Sequence, residues 1–138
     1  MGQIIKHKHC IIRAEIGSPP MQKDVAYVHD WFKELIDDIG MNILAGPFVE
    51  YLDKEGNRGM TGVCIIETSH IAMHIWDETN PGLMQLDVYT CGDLDINKIF
   101  YKLKPFSPLK IGYKYLDRET NLTEVSSGEF KYDSIFKR

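Results

Sequence analysis

The chain has few cysteines: only Cys10, Cys64 and Cys91 occur in its 138 residues. Their number is odd and no CxxC pair is present, which argues against a disulfide framework and against a cysteine-rich zinc site. Free cysteine is among the most buried residue types, so each of the three is first interpreted as a small core residue.

Long apolar runs are also missing. No run approaches the roughly 20 residues that span a bilayer, and residues 1–6 lack the apolar core of a signal peptide. We therefore expect a cytoplasmic protein without membrane contact. The formal net charge is -4, whereas nucleic-acid surfaces need clustered Lys and Arg, so no nucleic-acid partner is expected.

The composition that remains is that of one ordinary globular domain, expected to span residues 1–138. Hydrophobic periodicity predicts a strand over 3–16, a helix over 21–39, strands over 41–52, 60–67, 70–76 and 83–91, a helix with the face Ile96, Ile99, Phe100 and Leu103, and a strand over 109–116. The segment 117–138 is weakly patterned. Short turns between consecutive strands favour antiparallel pairing. The predicted fold class is α+β, a two-layer α/β sandwich with an antiparallel sheet and two helices on one face.

The segment 67–92 is unusually rich in reactive side chains, including Ser69, His70, His74 and Cys91. A metal site is one interpretation, because two histidines at i and i+4 share a helix face. The neighbouring residues favour a strand, on which four residues span roughly 13 Å. That distance is too long for both imidazoles to bind one ion, so no metal is predicted.

A serine hydrolase is a second interpretation. Ser69 lacks the glycine-flanked G-x-S-x-G elbow, and on a strand Ser69 and His70 face opposite sides. A third interpretation is self-processing: a serine at a strained turn attacks its own preceding carbonyl, and elimination leaves a pyruvoyl group. Such a carbonyl forms a Schiff base with an amine and accepts electrons as CO2 leaves. Residue chemistry alone leaves these interpretations open.

The order of residues favours the third. Ser69-His70-x-x-x-His74-x-Trp76-x-Glu78, followed by the segment 87–92 (Asp-Val-Tyr-Thr-Cys-Gly), resembles the signature of prokaryotic S-adenosylmethionine decarboxylases. In that family a Glu-Ser-His-x-x-x-His-Thr-Trp-Pro-Glu segment precedes Asp-Val/Leu-Phe-Thr-Cys-Gly. Residues 59–63 are similar to the family's Gly-Val-Ser-Gly-Val, and residues 8–9 to its Gly-x-His start. The resemblance runs from about residue 5 to residue 104.

The resemblance implies a catalytic centre in this chain. Cleavage between Thr68 and Ser69 would convert Ser69 into the pyruvoyl cofactor. His74 matches the histidine that assists elimination during processing. Cys91 matches the catalytic proton donor, and Thr61 stands where the family has a serine that aids processing.

The resemblance also implies a substrate and an assembly. Glu78 matches a glutamate that contacts the ribose of S-adenosylmethionine, and Tyr51 falls near an aromatic residue that stacks on the adenine. Decarboxylated S-adenosylmethionine is the aminopropyl donor for spermidine synthesis. Small members of the family form homodimers with active sites near the interface, each built from both protomers. Ordinary roles compete for three residues: Thr61 as a strand residue, Tyr51 as a core aromatic and Glu78 as a solvated turn residue.

The chain departs from the family pattern in several places. Thr68 replaces the glutamate before the serine, Thr61 replaces a serine, and Ile75 and Asp77 replace Thr and Pro. The loop between residues 51 and 59 is longer by about four residues, and the turn over 79–83 by about two. These changes surround substrate recognition, which leaves two alternatives open: a pyruvoyl-dependent decarboxylase of ornithine or arginine, and an unprocessed regulatory homologue.

Overall fold

A computed structural model describes residues 6–131 of the chain. Its seven strands are β1 (Lys8–Ile16), β2 (Ile43–Leu52), β3 (Gly59–Ile66), β4 (Ser69–Trp76), β5 (Gly82–Thr90), β6 (Pro108–Asp117) and β7 (Thr123–Lys131). They form one antiparallel sheet in the order β2-β3-β4-β5-β1-β6-β7. The first of the described strands therefore lies inside the sheet, between β5 and β6.

Two helices cover one face of this sheet. Helix α1 (Val25–Asp38) follows a 3-10 turn, and α2 (Ile96–Lys102) begins after Asp95, whose carboxylate accepts a hydrogen bond from the N–H of Asn97. The Asp95 cap satisfies one of the N–H groups that a helix start leaves unpaired. Neither helix is both long and apolar enough to cross a bilayer, as far as residues 6–131 show.

Strand alternation separates a buried face from an exposed one. Along β4, Ile71, Met73 and Ile75 are buried under the helices, whereas His70 and His74 are exposed. Because cross-strand partners share a face, the side of the sheet that carries His70 and His74 is here named the open face. No described element covers it.

Close packing of α1 on β3 explains one glycine of the sequence motif. A Cβ atom on Gly62 would lie 2.8 Å from Cζ of Phe32, which is fully buried in α1. Only a residue without a side chain fits under this ring. The family-like spacing of residues 59–63 thus has a packing cause that is independent of any chemistry.

The predicted α+β sandwich is confirmed, and all eight predicted helices and strands are present with shifted ends. The predicted helix 21–39 begins later, at Val25, because its first turn is a 3-10 turn. The interpretation of 117–138 as weakly patterned misses β7, which pairs with β6 at the sheet edge. Residues 1–5 and 132–138 of the predicted domain lie outside the described residues.

Candidate active site

Ser69 lies at a tight connection between two strands. It is the first residue of β4 and follows a two-residue turn, Glu67-Thr68, whose other end is Ile66 of β3. Ile66 and Ser69 are register partners across this turn. The φ angle of Ser69 is 155°, within the range that side chains other than glycine rarely adopt. Backbone strain is therefore located at the residue after the Thr68–Ser69 peptide bond.

The carbonyl of that peptide bond is polarised. The carbonyl oxygen of Thr68 accepts a hydrogen bond of 2.7 Å from the backbone N–H of Cys91. This contact follows from the pairing of β4 with β5, in which Ser69 lies opposite Thr90. An N–H aimed at a carbonyl oxygen stabilises the negative charge that develops there when the carbon is attacked. The hydroxyl of Ser69 belongs to the residue that directly follows this carbonyl.

The side chain of Thr68 ties the turn to the end of β5. Its hydroxyl accepts a hydrogen bond of 3.0 Å from Thr90 and donates one of 3.1 Å to the sulfur of Met41. The hydroxyl of Thr90 also accepts a bond of 3.2 Å from the N–H of Gly92. Because Thr90 is fully buried, its hydroxyl requires such partners. A threonine at position 68 therefore fixes the turn by neutral hydrogen bonds.

Cys91 is the accessible thiol of the chain. It is partly exposed, whereas Cys10 and Cys64 are buried. Burial raises the pKa of the Cys10 thiol to about 12 and also raises the pKa of Cys64. Because the thiolate is the reactive form of cysteine, the two buried thiols are inert. The Cys91 sulfur lies 3.5 Å from Nδ1 of His7.

Thr61 and His74 form a second group on the open face. They are register partners of β3 and β4, and the Thr61 hydroxyl lies 3.2 Å from Nδ1 of His74. The imidazole of His74 also stacks on Trp76, with ring centroids 5.9 Å apart. The Thr61 hydroxyl and the Trp76 ring thus fix the orientation of this imidazole. A side chain that transfers a proton has to be oriented in this way.

The structure does not bring all the predicted residues together within one chain. Ser69 and His74 are the first and sixth residues of β4, a separation of roughly 16 Å at about 3.3 Å per residue. Ser69 with Cys91 and Thr61 with His74 are therefore two separate groups. Within residues 6–131 no group of three or more His, Cys, Asp or Glu residues has the geometry of a metal site.

A cavity of about 320 Å³ opens beside the Thr61–His74 group. The other residues of its lining are Leu52, Asn57, Gly59, Ile75 and Trp76. The indole N–H of Trp76 donates a hydrogen bond of 2.8 Å to the side-chain oxygen of Asn57, which holds the indole in place. An aromatic wall with a few polar groups is typical of a small-molecule site.

The two loops next to this cavity hold each other. The carboxylate of Glu78 accepts hydrogen bonds of 2.9 Å from the N–H groups of Arg58 and Gly56. Both bonds lower the pKa of Glu78, and the bond from Arg58 has the larger effect. The Arg58 side chain donates a bond of 2.9 Å to Asp77, whose side chain is only 1% exposed. Both oxygens of Glu78 are engaged by the chain itself, and its contact with a substrate stays a prediction.

Tyr51 faces the core. It packs against the hydrophobic core and is the register partner of buried Met60, whereas its neighbour Glu50 pairs with Thr61. Tyr51 and Thr61 therefore lie on opposite faces of the sheet. The Tyr51 hydroxyl donates a bond of 2.6 Å to Asp77, and burial together with this bond raises the Tyr51 pKa to about 12. Stacking of Tyr51 on a ligand stays a prediction, while the aromatic wall of the cavity is Trp76.

The open face also carries exposed apolar side chains. Phe48, Val63 and Ile11 are 56%, 39% and 43% exposed. Phe48 and Val63 are register partners, and Val63 pairs in turn with Ala72 of β4. Ile11 lies in the same row of side chains but is separated from Val63 by Ala72 and Asp87. Exposed apolar side chains along one row of a sheet are typical of an interaction surface.

Comparison with known proteins identifies relatives that are all named for the same activity. The family described as S-adenosylmethionine decarboxylase matches residues 8–119. The S-adenosylmethionine decarboxylase proenzyme of Pyrococcus furiosus is 32% identical over 130 residues, which cover 93% of this chain and 83% of that protein. The proenzyme of Persephonella marina is 41% identical over 83 residues, covering 59% of this chain and 58% of the relative.

Several alignments are shorter, and the chain spans about half the length of those relatives, for example 51% of the Picrophilus torridus proenzyme. Among solved structures, the adenosylmethionine decarboxylase of Aquifex aeolicus matches with a TM-score of 0.62 over 91% of this chain and 99% of that chain. The sequence identity there is 21%, so this match establishes a shared fold.

Proposed function

Because the chain belongs to the S-adenosylmethionine decarboxylase family, we propose that it decarboxylates S-adenosylmethionine with a pyruvoyl group derived from Ser69. The product would be the aminopropyl donor for spermidine synthesis. One observation supports this most directly: the Thr68 carbonyl, beside Ser69, accepts a hydrogen bond from the N–H of Cys91. That arrangement suits an attack of a serine on its own preceding peptide bond.

The residues around Ser69 fit the formation of this group. The Ser69 oxygen attacks the Thr68 carbonyl carbon and its proton passes to the Ser69 nitrogen, so that a C–O bond forms, the peptide C–N bond breaks and Ser69 gains a free amine. The N–H of Cys91 stabilises the charge on the oxygen. Loss of the Ser69 Cα proton then breaks the Cβ–O bond and frees the Thr68 carboxylate. Water finally replaces the nitrogen, which leaves as ammonia. The strained φ of Ser69 favours the ring closure.

The pyruvoyl carbonyl supplies an electron sink for the departing CO2, and the protein supplies the proton that replaces it. The Cys91 thiol is the proposed donor, supported by its partial exposure and by its contact with the Thr68 carbonyl through its own N–H. Cleavage of S–H is matched by formation of C–H on the substrate. The buried Cys10 and Cys64 are unsuited to this role, because burial keeps the substrate away from them and raises their pKa values, which makes them weaker acids.

His74, oriented by Thr61, is the proposed base for the Cα proton of Ser69. Within one chain it is roughly 16 Å away along β4, too far for proton transfer. A homodimer that joins two open faces solves this problem, because His74 of one protomer then approaches Ser69 of the other. The exposed Phe48, Val63 and Ile11 support that face as the interface.

Substrate recognition is proposed for the cavity beside His74, where the Trp76 indole offers a stacking surface for the adenine. Glu78 is proposed to contact the ribose and Tyr51 the adenine. Each Glu78 oxygen has one backbone partner and keeps a further acceptor position that a ribose hydroxyl can use. Tyr51 needs a shift away from Asp77.

Intact-mass spectrometry of the purified chain tests the self-cleavage. Two fragments that divide between Thr68 and Ser69 are expected, the second with a pyruvoyl terminus, and Ser69→Ala should remain whole. Cys91→Ala should still be cleaved but turn over slowly, by about 100-fold or more if the thiol is the general acid. An unbroken parent chain under all conditions would refute the proposal.

Release of CO2 from carboxyl-labelled S-adenosylmethionine, ornithine and arginine identifies the substrate. Only S-adenosylmethionine is expected to react. Release of CO2 from ornithine or arginine alone would be consistent with the proposed pyruvoyl chemistry but would show that the proposed substrate is wrong.

A further inference from the structure

His7 contacts the thiol that the proposed reaction uses, although the sequence assigns it no role. Its Nδ1 lies 3.5 Å from the sulfur of Cys91 and 3.0 Å from the hydroxyl of Tyr89. The imidazole stacks on the Tyr89 ring with centroids 6.2 Å apart. The backbone carbonyl of His7 accepts a hydrogen bond of 2.8 Å from the N–H of Arg118. Tyr89 thus holds the imidazole, and Arg118 holds the backbone of His7.

Two lysines near this contact are paired with carboxylates. Lys6 forms an ion pair of 2.8 Å with Asp93, and Lys8 contacts Asp117 and Glu119 at 3.1 and 3.3 Å. The guanidinium of Arg118 lies 4.1 Å from the centre of the Tyr89 ring. Among residues 6–131, His7 is the one titratable side chain within hydrogen-bond distance of the Cys91 sulfur.

We propose that His7 returns the proton to Cys91 after each turnover. The inference rests on the proposed function, in which the Cys91 S–H bond breaks as a C–H bond forms on the substrate. The thiolate left behind takes the Nδ1 proton of the His7 imidazolium, so N–H breaks and S–H re-forms. Solvent then protonates the imidazole. The single Nδ1–H is shared between the Tyr89 hydroxyl, 3.0 Å away, and the sulfur, 3.5 Å away. His7 acts through Cys91 and is a positioning residue.

Alkylation of Cys91 by iodoacetamide tests the contact without any turnover. The Ser69→Ala chain is suitable because it keeps His7 and Cys91 but forms no pyruvoyl group. Cys10 and Cys64 are buried and contribute little to the reaction. The alkylation rate is compared from about pH 5 to pH 10, because an imidazolium beside the sulfur favours the thiolate, which is the form that reacts.

His7→Asn keeps a polar group near the Nδ1 position but cannot carry a positive charge. The rate at pH 6 should fall about fivefold, as for the loss of a unit charge about 4 Å away in water. His29→Asn is the matched control, because His29 lies on α1 and contacts Asp30. His7→Gln is a second variant in case the first folds poorly. Identical profiles for the parent and the His7 variants would overturn the inference.

Turnover of the processed enzyme gives the second readout. His7→Asn should be cleaved normally and keep KM, while kcat falls about tenfold or more, and His29→Asn should match the parent chain. An unchanged kcat for His7→Asn overturns the inference and leaves the proposed function intact. A parent chain that cleaves itself but releases no CO2 from any of the three substrates rejects the proposed function instead, whatever the alkylation profiles show.

Discussion

Two variants of this chain that cannot cleave themselves should complement each other when mixed. Ser69→Ala removes the attacking hydroxyl, and His74→Ala removes the proposed base. Each alone should remain uncleaved. If Ser69 and His74 of one chain acted together, a mixture would remain uncleaved as well, because neither chain has both groups. The separation of roughly 16 Å along β4 argues against that arrangement and predicts that cleavage reappears in the mixture.

The expected yield follows from dimer statistics. Equal amounts of the two variants give about half mixed dimers if pairing is random. In each mixed dimer, one site combines Ser69 of the His74→Ala chain with His74 of the other chain, and the second site lacks both groups. About half of the His74→Ala chains should therefore be cut, and none of the Ser69→Ala chains.

Co-expression with different affinity tags and intact-mass spectrometry measures this outcome. The tag identifies which variant carries the cut, and purification on the two tags in succession verifies that mixed dimers form. A mixture with no cleavage beyond that of the separate variants would refute the shared site, as would cleavage of the Ser69→Ala chain. Phe48→Asp, on the open face, should weaken the dimer and abolish the complementation.

Three further predictions concern stability and ionisation. Gly62→Ala forces a methyl group against Phe32 and should lower the free energy of unfolding by about 1–3 kcal/mol, seen as a lower urea midpoint; an unchanged midpoint contradicts the packing argument. Glu78→Gln should lower the midpoint at pH 7. Its difference from the parent should vanish as the pH falls through the lowered pKa of Glu78, below the ordinary value of 4.5, because that stabilisation needs the carboxylate charged. Asp77→Asn should lower the pKa of Tyr51 from about 12 in an absorbance titration, yet leave it above 10, since burial is the larger cause; no change would mean that Asp77 does not act on the phenol.

The fold was predictable where one face of an element is buried. Alternation along β4, with Ile71, Met73 and Ile75 in the core, and the apolar stripe of α1 both leave a clear period in the sequence. The edge strand β7 (Thr123–Lys131) was not predictable in this way. It pairs on one side only and most of its residues are exposed, so no hydrophobic alternation identifies it.

The candidate site was predictable as a set of residues but not as an arrangement. The motif names Ser69, His74 and Cys91, whereas their division into two groups follows from strand register, which the sequence pattern does not fix. The contact between His7 and Cys91 joins residues 84 positions apart. It depends on the placement of β1 beside β5. Binding of Glu78 by the 53–58 loop is a backbone contact and leaves no signal in side-chain type.

The order of strands has a consequence for the two fragments that cleavage would produce. A cut between Thr68 and Ser69 assigns β1, β2 and β3 to the first fragment and β4 to β7 to the second. Since β1 lies between β5 and β6, a strand of the first fragment is inserted between two strands of the second. Three ladders, β3–β4, β1–β5 and β1–β6, then join separate polypeptides. The fragments cannot come apart unless the sheet itself unfolds, so a broken backbone costs the protein little of its cohesion.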